Sequence, residues 1–337
     1  MAQPPLPKRD NRLPGLEALR FFAALCILLL HTRAVFGGQR VFGHGYLAVE
    51  FFLMLSGFLM VFAQEARITE PARFIVKRYK RLWPTMAIGA MIGLPRLWLR
   101  SQSVLEFAGT AAANLALLPV WFGTFAFPLN IPAWTIFYEL AANSLHVFVL
   151  RHVKTWGLWL GVAALVPVMA WIGMHYGSFD QGATPETLLL GLPRIMLAYL
   201  IGMALGRWWG ARMPLNGPPI PVPPLLAIPA MPAVLAAAWY WKLDTSWHFD
   251  MLFTLIACPL MIAGGLRLNR FHRFAGLLGQ LSFPLFAVQM PILQGMKMLG
   301  FGYWTGGLTA LAGGIVAAFL AQLPAQVTAW RNKERPA

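Results

Sequence analysis

The sequence predicts an all-α protein, a polytopic bundle of transmembrane helices, and three observations predict it. Only 12% of the 337 residues are charged while 58% are hydrophobic, against about 25% charged in a soluble domain, so no polar coat is available for a water-facing surface. Apolar stretches of about 17–25 residues, the length that crosses a hydrocarbon core of about 30 Å, recur along the whole chain. The 27 Lys and Arg, which set a formal charge of +15, are bunched between those stretches. In a soluble chain that charge would point to nucleic acid. Here it reads as a topology signal, because Lys and Arg are retained on the cytoplasmic side, and as a means of holding anionic lipid headgroups.

The chain opens on a polar, Pro-rich stretch, Met1 to Asn11. The first apolar run, Phe21 to Leu30, continues without a small-residue cleavage site and reads as a retained span rather than a signal peptide. About ten spans are expected, near residues 16–36, 46–63, 83–99, 134–150, 156–174, 186–206, 222–240, 248–266, 274–298 and 303–325, in a single domain over 1–337. Lys8, Arg9 and Arg12 precede the first span, and Arg73, Lys77, Arg78, Lys80 and Arg81 follow the second, so both flanks are expected in the cytoplasm. The clusters Arg151 to Lys154, Arg207 to Arg212, Arg267 to Arg273 and Arg331 to Arg335 then fall on the same side. An even number of spans with both termini cytoplasmic explains them.

The stretch 104–120 is apolar but holds Glu106, Asn114 and Pro119. As a full span it would turn every later basic cluster outward, so it reads as a short outer-surface or re-entrant helix. Arg96 and Arg100 then stand at the outer face, against the charge rule. From Met213 to Pro232 the chain is dense in proline and reads as a cytoplasmic linker running into a kinked span. Cys26 and Cys258 lie inside apolar stretches, where a thiol behaves as a small hydrophobe. They imply no disulfide framework or thiolate metal site, and no metal is expected.

Ionisable groups inside spans are expensive and tend to face a bundle interior or a wet cavity, which makes them the functional candidates. In the first span Arg20 and His31 bracket ten apolar residues. Eleven residues is close to three helical turns, so both project to one face, roughly 16 Å apart along the axis. The plainer alternative is an arginine snorkelling to a headgroup and an interfacial histidine. The second span holds Glu50 near its outer end and Ser56-Gly57 within it. Without a Gly-x-Ser-x-Gly elbow, Ser-Gly in a membrane helix points to close helix packing rather than to a nucleophile. Glu139, beside Tyr138 and one turn before Asn143, lies about five residues below the outer end of its span, as His31 does in an oppositely directed one. The two are therefore expected to meet, the carboxylate orienting the imidazole for proton uptake from a hydroxyl. A structural Glu bonded to a neighbouring helix is the alternative. Arg78 and Arg81, three apart, share a helical face at the inner surface, suited to phosphates or equally to anionic lipid.

Taken in order, these segments resemble the acyltransferase family 3 membrane proteins, which include bacterial surface-polysaccharide O-acetyltransferases. Leu16-Glu17-Ala18-Leu19-Arg20 through His31 is similar to the family's Arg-x10-His first helix. Gly45 to Phe52 through Ser56-Gly57-Phe58 resembles its second-helix signature, Arg78-Tyr79-Lys80-Arg81 before Pro84 its Arg-x-x-Arg loop, and Trp134 to Glu139 its Trp…Glu segment. The resemblance covers most of the chain. It implies an O-acyltransferase of the bacterial inner membrane that takes acetyl-CoA or another acyl-CoA at the cytoplasmic face and a lipid-linked or polymeric saccharide as acceptor. It implies catalytic roles for Arg20, His31 and Glu139 and donor contacts for Arg78 and Arg81. Where many members carry a His before a proline, this chain has Gln289-Met290-Pro291, and a glutamine cannot relay a proton. The same intramembrane residues would also serve a secondary transporter of a lipid-linked saccharide or anionic solute, although no paired half-repeats are evident. A non-catalytic subunit of a polysaccharide export complex is a third reading, and intact Arg20, His31 and Glu139 speak against it.

Overall fold

Proline and glycine set the limits of many of the elements. In the computed structural model, which describes residues 13–212, 228–268 and 271–333, the first helix, α1 (Pro14–Phe36), starts on a proline at its first turn, where no amide partner is lost. It stops at Gly37, whose φ of 86° few other residues adopt. There follow α2 (Ala48–Leu59), α3 (Pro71–Trp98), α4 (Val104–Leu115), α5 (Ala133–Phe148), α6 (Thr155–Tyr176), α7 (Gly191–Arg212), α8 (Ala230–Tyr240), α9 (Trp247–Leu252), α10 (Cys258–Arg267), α11 (His272–Met298) and α12 (Tyr303–Lys333). No strand occurs among the described residues. Single π-turns, Met60–Gln64 after α2 and Phe253–Ala257 between α9 and α10, extend these short helices into longer rods.

Among the described residues seven helical stretches are long and apolar enough to cross a membrane: Pro14–Phe36, Gly45–Arg67, Thr155–Tyr176, Leu188–Gly210, Trp247–Arg267, His272–Met298 and Tyr303–Ala321. The expected ten are reduced to seven by this measure. The other three expected spans fall on α3, α5 and α8. The 28 residues of α3 are charged in their first half by Arg73, Lys77, Arg78, Lys80 and Arg81; α5 has 16 residues and α8 has 11. The Pro-rich stretch up to residue 227, the basic residues before Leu13 and the side chains of Arg331 to Arg335 lie outside the described residues.

The helix α4 is 12 residues long, too short for a hydrocarbon core of about 30 Å. It folds back along α3. Phe107 stacks edge-on against Trp98 with centroids 5.0 Å apart, and at the far end the Trp83 indole donates to the Leu115 carbonyl at 2.7 Å. The chain then returns, and Arg96 donates to the Pro128 carbonyl at 3.3 Å. Both ends of the excursion therefore lie at the C-terminal end of α3, and the segment turns back along that helix. Arg96 acquires a role as a clasp on the returning segment.

α2 packs closely on α7. A Cβ placed on Gly202 would sit 1.9 Å from the Met54 carbonyl oxygen, and one on Gly57 would sit 2.3 Å from that of Tyr199. Small residues are what allow backbones to approach this closely in a membrane. The reading of Ser56-Gly57 as a helix contact holds for the glycine. This contact fixes α2, and with it the residues below, against the bundle.

Candidate active site

A cavity of about 290 Å³ opens between α1, α2, α3, α5 and α11. Its polar groups are Arg20 from α1, Ser56 and Gln64 from the α2 rod, Arg78 and Arg81 from α3, Thr135 and Glu139 from α5, and Ser282 from α11. Its walls are apolar, with Val49, Phe52, Phe283 and Phe286 among them. On the α2 rod the lining runs from Gln64 to Val49, roughly 22 Å of helix. The cavity is thus elongated, basic at the end where α3 begins and greasy towards the other.

Arg78 lies seven residues inside α3, not in a loop, and is 8% exposed. Its Nη2 donates to Glu139 Oε1 at 2.7 Å and to Ser56 Oγ at 3.1 Å, and the Ser56 hydroxyl donates to Glu139 at 3.4 Å. Glu139 is held in turn by its own helix, where Asn143 donates to its carbonyl at 2.6 Å and accepts from the Tyr199 hydroxyl at 3.1 Å. Arg81 is exposed and stands where the cavity meets solvent. Arg20 is loosely paired with Glu17 at 3.8 Å, so three guanidinium groups against the carboxylates of Glu139 and Glu17 still leave the cavity region with an excess of positive charge, the electrostatics of an anion site.

The expected pairing of Glu139 with His31 is not found. The Glu139 carboxylate accepts from Arg78 and Ser56, whereas His31 Nδ1 is buried with no hydrogen-bond partner among the described residues. Of α1 it is Arg20, not His31, that lines the cavity with Glu139. Counting depth from the ends of apolar runs misplaced Glu139, because α1 and α5 are staggered and the continuous helix α3 brings a stronger cationic partner. Arg20, Arg78, Arg81 and Glu139 come together; His31 stands about three turns along α1 from Arg20, on the same face.

Gln289 on α11 is fully buried, and neither its Oε1 nor its Nε2 has a partner among the described residues. Its helix packs along α1, with Glu17 against Gly279 and the cluster Ala24, Leu28, Leu285 and Leu293 above. That places Gln289 between the Arg20 and His31 levels of α1.

A second polar network, at the other end of α2, was not anticipated. Glu50 is 1% exposed and forms a two-nitrogen pair with Arg194 of α7, at 2.5 and 3.2 Å. Arg194 also donates to the Gln181 and Tyr46 carbonyls at 3.0 and 3.1 Å and lies over the Trp134 ring at 5.3 Å. Beside it Asp250 is fully buried, its carboxylate taking His44 Nδ1 at 2.8 Å, the Tyr46 hydroxyl at 2.8 Å and the Phe179 amide at 2.8 Å. Arg194, the single cation in the apolar run 186–206, and a lone Asp250 were the available signals, since a charge deep in a span implies a partner. The partners themselves lie up to 206 residues away.

A cavity lined by charged residues and sunk among long apolar helices marks an integral membrane protein. Residues 13–324 match acyltransferase family 3, described as an acyltransferase domain, and the chain belongs to that family; it is an O-acyltransferase. It is 24% identical over 363 residues to the acyltransferase MdmB of Streptomyces mycarofaciens, covering 94% of this chain and 89% of that one. It is 25% identical over 320 residues to the exopolysaccharide production protein ExoZ of Rhizobium meliloti (strain 1021), covering 87% of this chain and 89% of that one. A Staphylococcus aureus (strain COL) protein provisionally named an O-acetyltransferase, SACOL0978, is 22% identical over 276 residues, 74% of this chain and 44% of its own length. No solved structure matches the chain.

Proposed function

We propose that the protein moves an acetyl group from cytoplasmic acetyl-CoA, or another acyl group from its CoA ester, to a hydroxyl of an extracytoplasmic or lipid-linked saccharide, in the bacterial inner membrane. The observation that carries the reading is the position of Arg20: it lines the basic cavity with Arg78 and Arg81 and shares one face of α1 with His31, roughly 16 Å away. Phosphates of the donor bind Arg81 at the mouth and Arg20 within. Arg78, fixed by Glu139, forms the rigid inner wall of that site. The acyl-bearing arm extends between Phe52, Phe283 and Phe286 towards His31.

There His31 takes the proton of the acceptor hydroxyl as its oxygen attacks the thioester carbonyl, and returns it to the departing thiolate. A two-step variant, with the acyl group carried briefly on His31, balances equally. Glu139 has no part in orienting His31 under this reading; its work is to position Arg78. ExoZ, by its name a protein of exopolysaccharide production, supports a saccharide acceptor. The alternation of basic loops supports about ten spans with both termini in the cytoplasm, α3, α5 and α8 completing the seven.

The test is acetyl-CoA consumption by purified protein, with mass analysis of surface glycans from cells with and without it. Arg20→Ala and Arg81→Ala should each raise the acyl-CoA KM about tenfold, the worth of one charge-assisted phosphate contact. A purified, folded protein that consumes no acyl-CoA but moves a saccharide across vesicles would replace this reading with transport.

A further inference from the structure

A second and larger cavity, of about 600 Å³, lies at the opposite end of α1 from Arg20, where three inter-helix loops meet. Arg40 and His44 come from the connection between α1 and α2, Gly177 and Ser178 from the end of α6, and Trp239, Tyr240, Lys242, Asp244, Thr245 and Ser246 from the end of α8 and the loop after it. The floor is rigid: His44 is held by Asp250 at 2.8 Å and by the Tyr46 hydroxyl at 2.9 Å. The floor also touches the helix that carries His31. Gly45, next to His44, lies so close to α1 that a Cβ on it would sit 2.6 Å from the Cys26 carbonyl oxygen and 3.0 Å from Leu30 Cβ.

The walls combine two chemistries. Trp239 and the exposed Tyr240 offer aromatic surface, to which the C–H faces of a pyranose ring are attracted because ring faces carry the negative end of the quadrupole. Arg40 and Lys242 are exposed, and no ion pair involves either among the described residues. The acidic lining residue, Asp244, is set against His44. Lys242 is also held at φ 56°, in the C-terminal turn of α8 where its amide reaches back to the Trp239 carbonyl at 3.1 Å and that of Leu243 to Ala238 at 2.8 Å. Glycine is the residue that fits this position without strain. A lysine there keeps its ammonium at the rim at a conformational cost.

We propose that this cavity is where the acceptor docks and that it selects an acidic saccharide, sugar rings packing on Trp239 and Tyr240 and carboxylates pairing with Lys242 and Arg40. The inference rests on the proposed acyl transfer to a saccharide and adds the place and charge class of that saccharide. Lipid headgroups offer the same negative charge but no stacked rings, so the aromatic pair favours the sugar.

The experiment measures equilibrium binding of a hexamer of galacturonic acid, and of its methyl-esterified neutral form, to the full chain in phosphatidylcholine nanodiscs without any acyl-CoA. The acidic hexamer should bind at least about tenfold tighter than the neutral one, as befits charge-assisted contacts, and lose affinity with added salt. Lys242→Gly suits the local backbone, so it should leave thermal stability unchanged or higher while weakening the acidic hexamer about tenfold. Trp239→Ala should weaken both forms, and acyl-CoA binding should stay unaltered in both variants. Equal binding of the two hexamers, or affinities indifferent to Lys242→Gly and Trp239→Ala, would overturn the proposal; so would displacement of the acidic hexamer from phosphatidylcholine nanodiscs by soluble glycerol phosphate at concentrations where galacturonic acid monomer does not displace it, which would make it a headgroup site. Because no donor is present, absence of acetyl-CoA turnover would sink the proposed transfer without touching this result.

Discussion

Arg78 Nη2 lies 2.7 Å from Glu139 Oε1, and Ser56 Oγ accepts from the same nitrogen at 3.1 Å, so three helices are joined at one guanidinium. The pair is more than four-fifths buried on each side. A buried guanidinium tied to a carboxylate is rigid, and a rigid cation is better prepared for a second anion than a solvated one.

Arg78→Ala and Glu139→Ala should each lower stability by about 3–5 kcal/mol, because each leaves a buried charge without its partner. The double variant should be clearly less damaging than the sum of the two. His31→Ala combined with Glu139→Ala should instead add, since the two side chains share no partner. Thermal midpoints of the five proteins in one detergent decide this; a non-additive His31 and Glu139 pair would restore the orientation role that the geometry removes from Glu139.

His31→Gln should lower the acyl-transfer rate by about 10²-fold or more, the contribution of general-base catalysis, while leaving the acyl-CoA KM close to wild type. Glutamine keeps a polar amide but cannot take up a proton. A correctly inserted His31→Gln protein with near wild-type kcat would reduce His31 to a structural residue.

Gln289→Leu should raise the thermal midpoint. A buried amide with neither atom partnered is a burden of about 1–3 kcal/mol, and an apolar side chain of similar size removes it. If the midpoint falls instead, Gln289 has bonding partners and its role is packing.

His44 offers a pH signature. Burial pushes its imidazole down, but the hydrogen bond and charge of Asp250, with Asp244 nearby, outweigh burial and raise it above the ordinary histidine value. The folded state therefore binds the proton more tightly than the unfolded chain does. This stabilisation is fully present below about pH 6.5 and is lost as pH rises through the raised value. Across pH 6 to 9 the thermal midpoint of wild type should decline more than that of His44→Gln; parallel curves would mean that the ion pair contributes no linkage.

Much of this was legible in the sequence because the bilayer imposes a one-dimensional rule: long apolar runs must be helices, and charges among them must be accounted for. Arg20, Arg78, Arg81 and Glu139 stood out on that ground, and they do line one cavity. The segment 104–120 was separable by its polar residues and length. Seven of the ten expected spans are long, apolar helices among the described residues, while charge in α3 and brevity in α5 and α8 set the other three apart.

Which charge meets which was not legible. Partnership depends on helix stagger and rotation, set by contacts such as Gly202 on the Met54 carbonyl, and a sequence carries no axial offset between helices distant in the chain. Glu139 was therefore matched by estimated depth to His31, when the start of α3 at Pro71 delivers Arg78 to it. For the same reason Arg194 and Asp250 stood in the sequence as isolated charges. Only the packed bundle joins them to Glu50 and His44, because burial makes each charge costly until a partner from another helix reaches it.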